Sequence, residues 1–143
     1  MAYAKAKLLD GMRLIGWSES GHGIIMDSTV DKGGFDTGPR PMELLLLSLI
    51  GCTAMDVIYI LRKMRVKFEG FEIEVKAERA DKHPKVYNKV EVIYTIYGKD
   101  VPEDKFKQAI ELSQNKYCSV SATMKAVGEL TYSYKIIPEK PEP

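Results

Sequence analysis

The chain holds two cysteines, Cys52 and Cys118, 66 positions apart. A thiol can act as a nucleophile, a redox centre or a soft ligand without help from a cofactor. Cys52 lies in Gly51-Cys52-Thr53, inside a long apolar segment. A free cysteine there also packs well as a small hydrophobe, and that plain reading stays open. On a helix, Ser48 and Asp56 lie four residues either side of Cys52 and share its face, with Tyr59 at i+7. A polar stripe in an apolar helix suggests a lined cavity. Asp56 would disfavour a neighbouring thiolate, so activation of Cys52 needs a cation from elsewhere. Cys118 follows Lys116 and precedes a short predicted helix over 119–126, started by Ser119 or Ser121. The helix dipole and the amine would both favour a thiolate at Cys118, and packing at a strand-like joint is the alternative. Should the two thiols meet in space, they form a redox pair.

Four cations are available to a thiolate: Arg13 beside an early hairpin, Arg40 in a loop, Lys63 and Lys116. The cluster Arg62, Lys63, Arg65 and Lys67 reads as a solvated helix C-terminus rather than a phosphate or nucleic-acid site. Glu43 is a first-turn acid that complements the helix dipole. It precedes Cys52 by nine residues, about 13.5 Å of rise and the opposite helix face, so any contact between them falls to a partner chain. His22 and His83 have no zinc-type spacing to either cysteine, and no metal site is expected. No phosphate loop or dinucleotide fingerprint calls for a bound cofactor.

The elements that must position these residues are legible as periodicities. Residues 3–9, 12–17 and 22–27 read as short antiparallel strands, and 28–41 as a Gly/Pro-rich loop fit for a site rim. Met42–Met64 reads as one helix after Pro41, buried on nearly all sides. Asp56 inside it argues against a membrane span. A chain of 143 residues has difficulty hiding such a helix alone, so a second subunit is expected to cover part of it. Residues 69–79 and 87–97 alternate as an antiparallel hairpin, the latter with Val90, Val92, Tyr94 and Ile96 on one face. A helix over 102–115 opens on a capping box, Asp100 to Glu103. In a last strand, 129–137, Leu130, Tyr132, Tyr134 and Ile136 alternate outward against polar neighbours. The whole, residues 1–143, reads as a single α+β domain.

With 21 Lys plus Arg against 20 Asp plus Glu, the net charge of +1 disfavours a nucleic-acid binder. The first 16 residues lack an apolar secretory core, and two distant cysteines build no disulfide framework. A reducing, cytoplasmic setting is expected.

The segments Gly38-Pro39-Arg40-Pro41-Met42-Glu43-Leu44-Leu45-Leu46, Gly51-Cys52-Thr53 and Lys116-Tyr117-Cys118-Ser119-Val120-Ser121 together resemble the OsmC/Ohr family of osmotically inducible and organic-hydroperoxide-resistance proteins, in its OsmC-like branch. That resemblance implies an intertwined homodimer, with long central helices packed against antiparallel sheets and two sites at the interface. It implies a thiol-dependent peroxidase acting on alkyl or fatty-acid hydroperoxides. Cys52 would be peroxidatic and Cys118 resolving, with an external dithiol as reductant and no cofactor. It further implies an arginine, Arg13 or alternatively Arg40, held by a glutamate. The family's glutamate position falls at Met42, which leaves Glu43 one residue displaced, a rotation of about 100° on a helix. A protein binding a small hydrophobic or electrophilic ligand without peroxide turnover is the alternative.

Overall fold

Residues 1–142 are described in a computed structural model. The chain divides into two units, residues 1–47 and 48–143. In the first, the alternating segments form β1 (Ala4–Asp10), β2 (Arg13–Ser18) and β3 (Ile24–Met26), an antiparallel meander in that order. A reversal at Asp10-Gly11, with Gly11 at φ 50°, joins the first two strands. All seven residues of β1 are exposed.

The loop after β3 is organised around one carboxylate. Asp27 is 3% exposed and accepts hydrogen bonds from the backbone N–H of Ser28 (2.7 Å), Phe35 (3.1 Å) and Thr37 (3.1 Å), and from Thr37 Oγ1 (2.7 Å). A Cβ on Gly34 would stand 2.1 Å from the Ser28 carbonyl oxygen, so the wrap around Asp27 requires glycine there. The Thr37 hydroxyl, joined by the three backbone donors, holds the Asp27 carboxyl well below the usual carboxylate range, at about 2.

Helix α1 (Pro41–Lys63) begins where Pro41 is preset for a first helical turn. It ends on Arg65, whose φ of 61° lets Arg65 N–H reach Arg62 O and Val66 N–H reach Leu61 O, a left-handed cap. Only one stripe of the helix, Leu49, Thr53, Val57 and Leu61 at four-residue intervals, is buried. The expectation of burial on nearly all sides is therefore corrected for the isolated chain. Of the 18-residue apolar window, 22% is buried, and Met55 and Tyr59 are 73% and 65% exposed.

The second unit is built on β4 (Gly70–Arg79), β5 (Tyr87–Tyr97) and β6 (Glu129–Ile137), with β5 central. The β4–β5 hairpin is antiparallel from Gly70↔Tyr97 to Arg79↔Tyr87. Strand β6 joins β5 in parallel, Lys89↔Glu129 through Tyr97↔Ile137, so this sheet is mixed. The parallel return needs the crossover that residues 98–128 supply. Val90, Val92, Tyr94 and Ile96 are buried on one face of β5, against Phe106, Ala109 and Ile110 of α2 (Glu103–Leu112) in the same core. Leu130, Tyr132 and Tyr134 are half-buried rather than outward, and Tyr134 meets Phe106 edge-on at 5.5 Å. The expected Asp100 cap is absent from α2. That helix starts after Pro102 without a side-chain cap, and Glu103 instead accepts a hydrogen bond from Tyr134 Oη at 3.0 Å.

Because the Asp27 carboxyl is depressed, its contribution is complete above about pH 4 and lost as pH falls through about 2. The amide proton resonances of Phe35 and Thr37 should therefore titrate together with a midpoint near pH 2, and Asp27→Asn should abolish that transition.

Candidate functional site

In α1, Cys52 and Asp56 are four residues apart and lie on one face, as their spacing predicts. Cys118 reaches them by an irregular route. After α2 the chain tightens into a single π-helical turn, Ser113–Tyr117, closed by Cys118 N–H to Ser113 O at 2.8 Å. Such turns rotate the residues that follow them relative to a regular helix. Cys118 then adopts an extended conformation and itself caps α3 (Ser119–Lys125), its Sγ accepting the Ser121 N–H at 3.3 Å. Neither Ser119 nor Ser121 is the cap.

This route brings the two thiols together. Cys52 Sγ, Cys118 Sγ and an Asp56 carboxylate oxygen lie within 4.8 Å of one another, and both cysteines are free. Cys52 is half-buried, whereas Cys118 is 3% exposed. Burial pushes the Cys118 thiol up from its ordinary value. Hydrogen bonding from Ser121 opposes that rise, and the neighbouring Cys52 adds to it. The expected depression by Lys116 is thus corrected: the Lys116 ammonium sits over the Tyr117 ring at 5.2 Å.

Behind the thiols lies a polar network that sequence reasoning missed. Thr53 Oγ1, fully buried, is hydrogen-bonded to Tyr94 Oη at 2.5 Å and to Ser113 Oγ at 2.7 Å. Ser113 Oγ is also 2.9 Å from Asp56 Oδ2, to which it donates, and Gln114 Nε2 donates to Tyr94 Oη at 2.6 Å. The available signal was a threonine at the four-residue interval of an apolar stripe, Leu49-Thr53-Val57. A hydroxyl in that position needs a buried partner. Beside Asp56, a cavity of about 490 Å³ is walled by Tyr59, Ile60, Met64, Leu112 and Tyr117, with Lys63 at its edge.

Of the other expected site residues, Arg13, Arg40 and Glu43 lie within residues 1–47, each held by local partners. Arg13 makes a two-pronged pair with Asp10, Nε to Oδ1 at 2.8 Å and Nη2 to Oδ2 at 2.7 Å, and its guanidinium lies 5.6 Å from the centre of the Phe35 ring. Arg40 pairs with Asp36 at 2.6 Å and donates from Nη1 to Gly38 O at 2.9 Å. Glu43 Oε2 accepts the Arg40 backbone N–H at 2.9 Å, the acidic half of a capping box at the start of α1. Glu43 therefore has a structural function in its displaced position. Lys63 lies over the Tyr59 ring at 5.7 Å.

Replacing Thr53 by valine removes one buried hydrogen bond from each of Tyr94 Oη and Ser113 Oγ at constant shape, and should lower unfolding free energy in urea by about 1–3 kcal/mol. Because the Cys118 thiol is raised, its alkylation by iodoacetamide, followed by peptide mass spectrometry, should still be accelerating above pH 9.

Residues 34–133 match the model of the OsmC-like protein family, a span that includes both cysteines and the whole network behind them. Protein YhfA of Escherichia coli K12 is 33% identical over 134 residues, 94% of this chain and 97% of its own length. The crystal structure of a hypothetical protein from Aquifex aeolicus VF5 superposes with a TM-score of 0.84 at 34% identity, covering 98% of each chain. The organic hydroperoxide resistance protein OhrB of Bacillus subtilis shares the fold, with a TM-score of 0.59 at 16% identity over 94% of this chain and 98% of its own. On the extent of the family match and on the near full-length relative, the chain belongs to the OsmC-like protein family.

Proposed function

We propose that this chain is a thiol peroxidase that reduces organic hydroperoxides, with Cys52 peroxidatic and Cys118 resolving. The observation that carries the reading is the approach of two free thiols to within 4.8 Å, one half-exposed and the other buried. Cys52, the accessible sulfur, attacks the outer peroxide oxygen. The O–O bond breaks, the alkoxide leaves and takes a proton as the alcohol, and Cys52 becomes a sulfenic acid. The Cys118 sulfur then displaces hydroxide from the sulfenic sulfur. A disulfide forms and one water is released. An external dithiol takes up the oxidation by exchange and returns both thiols. The apolar cavity beside Asp56 would receive the alkyl part of the hydroperoxide.

The arginine that the family resemblance calls for is Arg13 in this proposal, with Arg40 as the competing candidate and Glu43 as its support. Arg13 would have to exchange its Asp10 partner to serve, and Arg40 its Asp36 partner. The same residues motivate the second reading. If both arginines stay with their present partners, the chain binds a small hydrophobic or electrophilic molecule in the cavity without turning over peroxide. Residues 1–143 act as one domain in either case. The apolar side chains left bare on α1, Met55 and Tyr59 foremost, would be covered in a homodimer. Free, unbridged thiols suit a reducing cytoplasm.

The test is consumption of cumene hydroperoxide by the full chain under excess dithiol. Cys52→Ser should lose activity by more than about 100-fold. Cys118→Ser should consume about one equivalent and then stall with a sulfenic acid at Cys52. Arg13→Ala and Arg40→Ala identify the working cation by which of them loses turnover. Background consumption by the unaltered protein, with Cys52 still reduced, would overturn the peroxidase reading.

A further inference from the structure

The trio of Cys52, Asp56 and Cys118 places two sulfur atoms and one carboxylate oxygen within 4.8 Å of one another. We propose that, in the reduced protein, these three residues bind one thiophilic divalent ion, Zn²⁺ in the first instance, with a fourth position open to water. The site does not depend on peroxide turnover, since a chain inert to peroxide would hold the ion equally well.

Donor chemistry selects the class of ion. Two thiolates and one carboxylate suit a borderline-soft ion without geometric preference, and exclude the all-oxygen shells that Mg²⁺ and Ca²⁺ require. Dimensions agree as well. Tetrahedral coordination with metal–sulfur bonds of about 2.3 Å sets the two sulfurs about 3.8 Å apart. The three donor atoms already lie within 4.8 Å of one another, so closing on an ion shortens their separations by only on the order of 1 Å. Binding is a substitution without electron transfer. Zn²⁺ displaces one proton from each thiol, the carboxylate joins as the anion, and two protons are released.

The atoms behind the trio are placed as supports for a coordinated ion. Ser113 Oγ donates to Asp56 Oδ2 at 2.9 Å, which fixes the carboxylate and leaves it lone pairs for coordination. The Ser121 N–H points at Cys118 Sγ from 3.3 Å, a donor that a metal-bound thiolate retains. Ligands oriented by hydrogen bonds of this kind are typical of working metal sites. Cys52 and Asp56 sit on successive turns of α1, and Cys118 stands in an extended conformation between a closed π-helical turn and α3, so hydrogen-bonded elements hold all three residues. The histidine spacing that argued against a metal in the sequence has no bearing here. The donor set contains no histidine, and its third member comes from a separate element.

The test uses the full chain, reduced and freed of reductant, titrated with Co²⁺ as a spectroscopic probe and then with Zn²⁺. One Co²⁺ per chain should give the visible bands of a tetrahedral ion and a sulfur-to-cobalt charge-transfer band, and Zn²⁺ should bleach both. Cys52→Ser should weaken Zn²⁺ binding by at least about 100-fold and remove much of the charge-transfer intensity. Asp56→Asn should keep that intensity but weaken binding by about 10–100-fold. Cys118→Ser should behave like Cys52→Ser. Because Cys118 also caps α3, circular dichroism must show that variant folded, and Cys52→Ser and Asp56→Asn decide the matter if it is not. A spectrum without tetrahedral bands, a stoichiometry indifferent to Cys52, or an Asp56→Asn protein that binds like the parent would each overturn the proposal.

Discussion

The interaction on which the rest of the second unit depends is the hydroxyl of Thr53. It is wholly buried and bound to both Tyr94 on the central strand and Ser113 at the π-helical turn. A hydroxyl left unpaired in such surroundings is costly, so rotations of α1 that part it from these partners are penalised. The rotation that satisfies Thr53 sets Cys52 and Asp56 at the edge of the core. Ser113, held by Thr53 on one side and Asp56 on the other, fixes the start of the turn that delivers Cys118. The thiol pair is therefore located by a polar contact one residue away from the cysteine, and the sulfurs need no mutual attraction to meet.

In the proposed peroxidase, uneven burial would divide the two sulfurs by role. Cys52 is half-buried and keeps some exposure, whereas Cys118 is enclosed, capped onto α3 and raised in pKa by its burial. A buried thiol that resists ionisation is a poor first attacker. It is a suitable second partner, because it need only displace hydroxide from an adjacent sulfenic sulfur. The metal proposal uses the same proximity in the opposite sense, since an ion holding both sulfurs competes with any oxidant for them.

Local periodicity made much of the fold readable from the residues. The alternation of Phe71, Ile73, Val75 and Ala77 and that of Val90, Val92, Tyr94 and Ile96 placed the hairpin, and Pro41 placed the start of the long helix. Features set by distant partners were not readable. The π-helical turn has no signature in Ser113–Tyr117, because it exists to satisfy Thr53 and Asp56 from another element. The sulfur cap of α3 was hidden by two serines that are better caps in general. Glu43 read correctly as a first-turn acid, while its particular bond to the Arg40 amide depended on where the helix begins. Parallel pairing of β6 could not be seen in β6 itself, since alternation is the same in either direction.

That parallel pairing also orders events during synthesis. Strand β5 emerges from the ribosome with β4 already available, so the hairpin can zip locally. Its other edge must wait for residues 98–128 to be made and folded before β6 arrives. Until then, the most apolar strand of the unit presents a row of unpaired backbone groups to other nascent chains. The crossover is thus a delay in time as well as a path in space. A pause in translation within it prolongs the interval in which β5 is open to pairing with a neighbour.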